Sequence, residues 1–69
     1  MPFVNIKLIP DGITTQQKEK LIAGVTDLLH DVLGNPREAT TVCIEEIGSD
    51  NWGKGGESLT VIRQRNAKK

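Results

Sequence analysis

The sequence predicts an α+β fold, a single β-α-β unit with a short C-terminal hairpin or strand, assembling into an oligomer. Three observations carry that expectation. Apolar residues alternate with period two in two separate stretches, a capped amphipathic stretch lies between them, and 69 residues are too few to bury a full core alone. Residues 1–69 therefore make one domain. A chain of this size hides roughly 60% of its unfolded surface, so it often borrows stability from a metal, from disulfides or from partner subunits. Cys43 is the single cysteine and His30 the single histidine, which excludes an internal disulfide and a Cys/His zinc site. Partner subunits remain.

In PFVNIKLI, Val4, Ile6 and Leu8 alternate with Phe3, Asn5 and Lys7, the pattern of a strand with one apolar face. Pro10-Asp11-Gly12 ends it with turn chemistry. Leu21, Val25, Leu28, Leu29, Val32 and Leu33 then recur at the spacings of one helical stripe. Thr14, with Gln17 three residues on, fits a capping box, and Gly34-Asn35-Pro36 is a stop signal, so a helix of about twenty residues is expected. Gly24 inside it serves close packing. TTVCIEEI, from Thr40 to Ile47, is a second, β-branched strand, parallel to the first because a crossover helix joins them. SDNWGKGGE reads as a loop or tight hairpin, and SLTVIRQR as a short terminal strand. One helix covers only one face of a small parallel sheet, and the sheet edges stay open. Copies of the same chain are expected to close both, placing Phe3 and Cys43 at subunit contacts.

Nine basic residues balance nine acidic ones, so the chain lacks the electrostatic footprint of a nucleic-acid or membrane-surface binder. RQRNAKK is basic but short, a solvated tail. Asn5 and Lys7 interrupt the apolar start, no run approaches membrane-spanning length, and the cytoplasm is the expected compartment.

The start of the chain offers chemistry. Aminopeptidases remove an initiator methionine when the next residue is small, and loss of Met1 would leave the Pro2 nitrogen as a free secondary amine at the start of a strand. In water an N-terminal amine titrates near ~7.7–8.0, and a secondary amine somewhat higher. Burial penalises the ammonium form and moves the group toward the range a general base needs. Trp52 is a candidate wall for such a pocket, with an interface anchor as the alternative. Gly53, Gly55 and Gly56 lack the spacing and the strand-to-helix context of a phosphate cradle, so a hairpin is expected there.

MPFVNIKLI, TTQQKEKLI, TVCIEEI and NWGKGGE, taken in order, resemble the 4-oxalocrotonate tautomerase family over nearly the whole chain. The resemblance implies a β-α-β fold assembled as a homohexamer, a trimer of dimers, with Pro2 as the proton-shuttling base, Trp52 as the pocket aromatic, and no cofactor or metal. It implies tautomerisation of a 2-hydroxydienoate or related 2-oxo acid. Members acting on dicarboxylates resemble one another in two arginines, and the matching positions here are Ile13 and Thr41. Two lost charge-assisted contacts, each worth ~1.5–3 kcal/mol, put the muconate-type substrate in doubt. Arg37, Lys54, Arg63 and Arg65 are candidate replacements, Arg37 preferred because it comes nearest in sequence to the missing strand arginine.

His30 falls off the main stripe and reads as an exposed or interface residue. Cys43 reads as a small apolar residue packed on its strand. Glu45 and Glu46 are adjacent on a strand, point to opposite faces and cannot act as a carboxylate pair. The expected function is therefore a cofactor-independent tautomerase working through Pro2. Two alternatives stand beside it: a non-catalytic homo-oligomer with the same fold, and a proline-dependent hydratase or lyase.

Overall fold

The computed structural model describes residues 2–67; the expected loss of Met1 and the last two lysines of the basic tail lie outside them. Strand β1 (Phe3–Leu8) leads to helix α1 (Thr15–Leu33), a 3₁₀ turn (Arg37–Ala39) and strand β2 (Thr41–Glu46). A second 3₁₀ turn (Ser49–Asn51), the two-residue strands β3 (Gly53–Lys54) and β4 (Glu57–Ser58), and helix α2 (Leu59–Ala67) follow.

β1 and β2 pair in parallel, in register from Phe3 opposite Thr41 to Leu8 opposite Glu46. Val4, Ile6, Leu8, Val42 and Ile44 are half-buried beneath α1, while Phe3, Asn5, Lys7, Thr41, Cys43 and Glu45 alternate onto the bare face. The side-chain period of two thus sorts each strand as its sequence requires. Glu46 meets Lys18 of α1, and Glu45 meets Lys7 on the other face, so the two carboxylates do diverge. The capping box is present: Thr14 Oγ1 accepts from Gln17 N–H at 3.1 Å, and Gln17 Oε1 accepts from Thr14 N–H at 2.9 Å. Gly34 closes the helix in the left-handed region at φ 72°, donating its N–H to His30 O.

Two sequence expectations are corrected. SLTVIRQR folds as helix α2, not as a strand. Ser58 Oγ accepts from Val61 N–H at 3.2 Å, an N-terminal cap, and the half-buried Leu59 and Ile62 stand three apart on one helical side. Cys43, expected to be packed, is exposed, because its strand position faces away from α1 and no second layer lies there in the single chain.

That bare face is one sign of an unfinished core. Among the described residues none is buried, and Phe3 and Val32 are 65% and 69% exposed. The radius of gyration is 15.9 Å, against about 11 Å for a compact domain of this length. The accessible surface of 5199 Å² likewise exceeds the roughly 4,300 Å² expected for a self-contained protein of this mass.

A candidate active site divided between the two ends of the sheet

Pro2 is half-buried, and its carbonyl accepts the Thr41 N–H at 3.0 Å, immediately before the first register pair of the ladder. Its ring is thereby fixed by β2 rather than left on a loose end. Beside this anchor the Thr40 hydroxyl oxygen is withdrawn from solvent without a partner, the one such side-chain atom among the described residues. Arg37 belongs to the same end, because its carbonyl accepts the Thr40 N–H at 3.2 Å. Its guanidinium forms an ion pair through one nitrogen with Asp27 of α1, and both side chains are half exposed. Arg37 therefore stands near the Pro2 end already engaged.

Trp52 belongs to the opposite end. β2 leaves the sheet beside Leu8, where Ile47 N–H donates to Leu8 O at 2.7 Å, and the chain then tightens into the Ser49–Asn51 turn. The run from Pro2 to Leu8 spans roughly 20 Å at the usual strand rise. Trp52, half-buried, continues from the Leu8 end, and its carbonyl accepts the Leu59 N–H at 2.7 Å. Within one protomer the two candidates are thus not brought together. The hairpin after Trp52 turns through Gly55 and Gly56 at φ 63° and 86°, backbone angles that favour glycine, and so GKGG makes the tight turn expected.

The cations sort by partner. Arg65 contacts Glu57 at 2.6 Å, and Arg63 grips Asp11 with two nitrogens at 3.0 and 2.7 Å. These hydrogen bonds hold the Asp11 carboxyl below its ordinary value of 3.8, mild desolvation opposing and charge attraction assisting, and they raise the Arg63 guanidinium in turn. On the bare face, Lys7 first and then Asn5 donate to Glu45, lowering its carboxyl from 4.5. His30 is exposed and its Nδ1 lies 3.3 Å from Asp31 Oδ1.

Sequence reasoning missed Lys20. An open recess of about 440 Å³ at the Leu8 end is lined by Leu8, Ile13, Gln17, Lys20 and Leu21. Lys18 is paired to Glu46, whereas Lys20 has no acidic partner among the described residues. Ile13, one of the two positions where an arginine was looked for, forms an apolar wall there. The signal available was the helical spacing of Gln17, Lys20 and Leu21, which puts them on one flank of α1. Among the described residues no group of three His, Cys, Asp or Glu side chains converges as metal ligands would, and no helix is long and apolar enough to cross a membrane.

A β-α-β chain with Pro2 immediately before the sheet's first register pair and an aromatic-Gly-x-Gly-Gly-Glu hairpin beyond its last is matched by known proteins of one class, the tautomerase-type isomerases. The family model described as "Tautomerase enzyme" matches residues 2–62. A probable tautomerase of Dickeya dadantii (strain 3937) is 57% identical over 65 residues, covering 94% of this chain and 97% of its own length. The crystal structure of DmpI from Helicobacter pylori matches with a TM-score of 0.83 at 47% identity, covering 87% of this chain and 98% of that one. TomN, described as a 4-oxalocrotonate tautomerase homologue in the tomaymycin biosynthetic pathway, matches with a TM-score of 0.85 at 32% identity, over 91% and 95% of the two chains. The chain belongs to the tautomerase family. Its activity class is that of a tautomerase-type isomerase.

Proposed function

We propose that this protein is a cytoplasmic, cofactor-independent tautomerase in which Pro2, freed by removal of Met1, shuttles a proton on a small 2-hydroxyalkenoate or 2-oxo acid. The neutral amine takes the proton of the substrate's enol hydroxyl; as the C–O bond becomes a carbonyl, the alkene electrons shift to a carbon along the chain. The ammonium then returns its proton to that carbon. Atoms and charge balance with no other reactant.

The observation that carries the reading is the Pro2 carbonyl bond to Thr41, which holds the would-be base at a fixed point on the first rung of the sheet. Trp52 lies at the other end, so the working pocket is composite. β1 and β2 form a two-stranded sheet, and each leaves an edge open among the described residues. Twofold pairing of such edges in the antiparallel sense sets the Pro2 end of one copy against the Leu8 end of the next, where Trp52, Ile13 and the Lys20 recess stand. Stacking of these dimers on the bare sheet faces, through Phe3 and Cys43, makes a hexamer. Trp52 then excludes water, favouring the uncharged amine.

Arg37, at the Pro2 end, binds the substrate carboxylate through guanidinium N–H groups that Asp27 leaves free. Ile13 and Thr41 offer no second cation, which favours a monocarboxylate over a dicarboxylate. The test follows the ultraviolet absorbance of phenylenolpyruvate and 2-hydroxymuconate with wild type and Pro2→Ala, alongside the intact mass of protein from its native host. The expected results are a mass lacking methionine, a large loss on substitution and faster turnover of the monocarboxylate. Equal rates for the two proteins, or a retained methionine, which would make the nitrogen a non-basic amide, would overturn the reading.

A further inference from the structure

We infer that α2 is a brace in which Arg63, acting through Asp11, positions Trp52 at the end of the sheet that receives a neighbouring copy's Pro2. The inference rests on the composite site proposed above but concerns residues that touch neither substrate nor base.

The C-terminal unit is held together by its own short contacts. Leu59 N–H bonds the Trp52 carbonyl, Ser49 and Thr60 share a hydroxyl bond at 2.6 Å, Thr60 also donates to Asp50, and Arg65 holds Glu57. Trp52 lies between these bonds, so its backbone moves with α2. Among the described side chains, one polar link ties this unit to the β1–α1 half: the two-pronged grip of Arg63 on Asp11. Asp11 sits in the turn that ends β1, beside the recess where Ile13 stands. A single exposed ion pair contributes little by itself, but the planar fork fixes direction as well as distance. A nine-residue helix is also too short to persist without such support.

The neighbouring charges do not duplicate this link. Asp50 is bonded to Thr60, Glu57 to Arg65, and Lys54 has no acidic partner among the described residues. Because the Asp11 carboxyl titrates below its ordinary range, the pair stays intact throughout neutral pH and cannot itself generate an activity limb there.

The experiment uses the assembled full chain. Trp52 is the only tryptophan, so its emission reports its own surroundings whether or not the protein turns over substrate. In both Arg63→Gln and Asp11→Asn, the emission maximum is expected to move to the red as Trp52 becomes wetter. The acid limb of kcat/KM is expected to rise by about 0.5–1 pH unit in both, because a wetter pocket penalises the ammonium less. A role through charge alone predicts opposite shifts: losing the cation raises the amine's pKa, and losing the carboxylate lowers it. Arg63→Lys, which keeps the charge and loses the fork, should show the same red shift in smaller measure and carries the test if Arg63→Gln does not assemble. Unchanged emission in both variants, or limbs that move in opposite directions, overturns the brace. Red-shifted emission with no Pro2-dependent activity sustains the brace and overturns only the catalytic reading.

Discussion

The two halves of this chain are held by different means. Residues 2–47 are fixed by main-chain geometry: a six-rung parallel ladder, a reciprocal cap at Thr14 and Gln17, and a glycine stop. Residues 48–67 have a ladder of only two pairs and depend on side-chain bonds among Ser49, Asp50, Glu57, Thr60 and Arg65, with Arg63 reaching across to Asp11. The difference teaches where precision is stored. Pro2 takes its position from the backbone ladder, whereas the unit that carries Trp52 has a short hairpin, one main-chain bond from Leu59 and a few charged and hydroxyl contacts that can be removed one at a time.

Four further changes would break or sharpen that contrast. Blocking the Pro2 nitrogen, by a retained methionine or by acetylation, should lower kcat by about 10²–10⁴-fold while the circular dichroism of the ladder stays native. Arg37→Ala, at the same end, should raise KM for an enol acid by about 10-fold or more with a smaller change in kcat, as expected for a lost charge-assisted bond. Ile44→Ala, beneath α1, should cost about 2 kcal/mol in denaturant unfolding. Thr14→Ala should cost about 1 kcal/mol by the same measure, since one cap of the first half is lost and Trp52 emission should not respond.

The smallest effect is a pH dependence confined to the second half. The folded Asp11 carboxyl lies below 3.8, so the Arg63 contact is fully present above that value and is lost as pH falls through the lower, folded value. With the Pro2 nitrogen blocked, so that no amine titrates against Trp52, Trp52 emission should therefore shift only below about pH 4. A shift between pH 5 and 8 in that protein would mean that another group holds α2.

The same contrast decides what could be read from the sequence. Both parallel strands, the helix and its two ends were legible, because periods of two and 3.6 and cap residues act locally. The place of Pro2 at the start of a strand was legible for the same reason, because it needs no knowledge of distant residues. Helix α2 was not legible, because Thr60, Val61 and Ile62 favour a strand and the deciding signals, the Ser58 cap and the Leu59–Ile62 spacing, are weak beside them. Nor were the partners of the arginines. Asp27 lies in a different element from Arg37, and Asp11 lies 52 residues from Arg63, so only the folded chain distinguishes an engaged cation from an unpartnered one such as Lys20.

The missing interior has a consequence for how this protein behaves on dilution. A chain with no buried residue among those described should draw much of its stability from association, and its melting temperature should then climb with protein concentration. If base and aromatic wall arrive on different copies, specific activity falls with the first or a higher power of concentration once assemblies dissociate. Inactivation at nanomolar assay conditions would then report disassembly, and a lost rate there would say nothing about the chemistry of any single side chain.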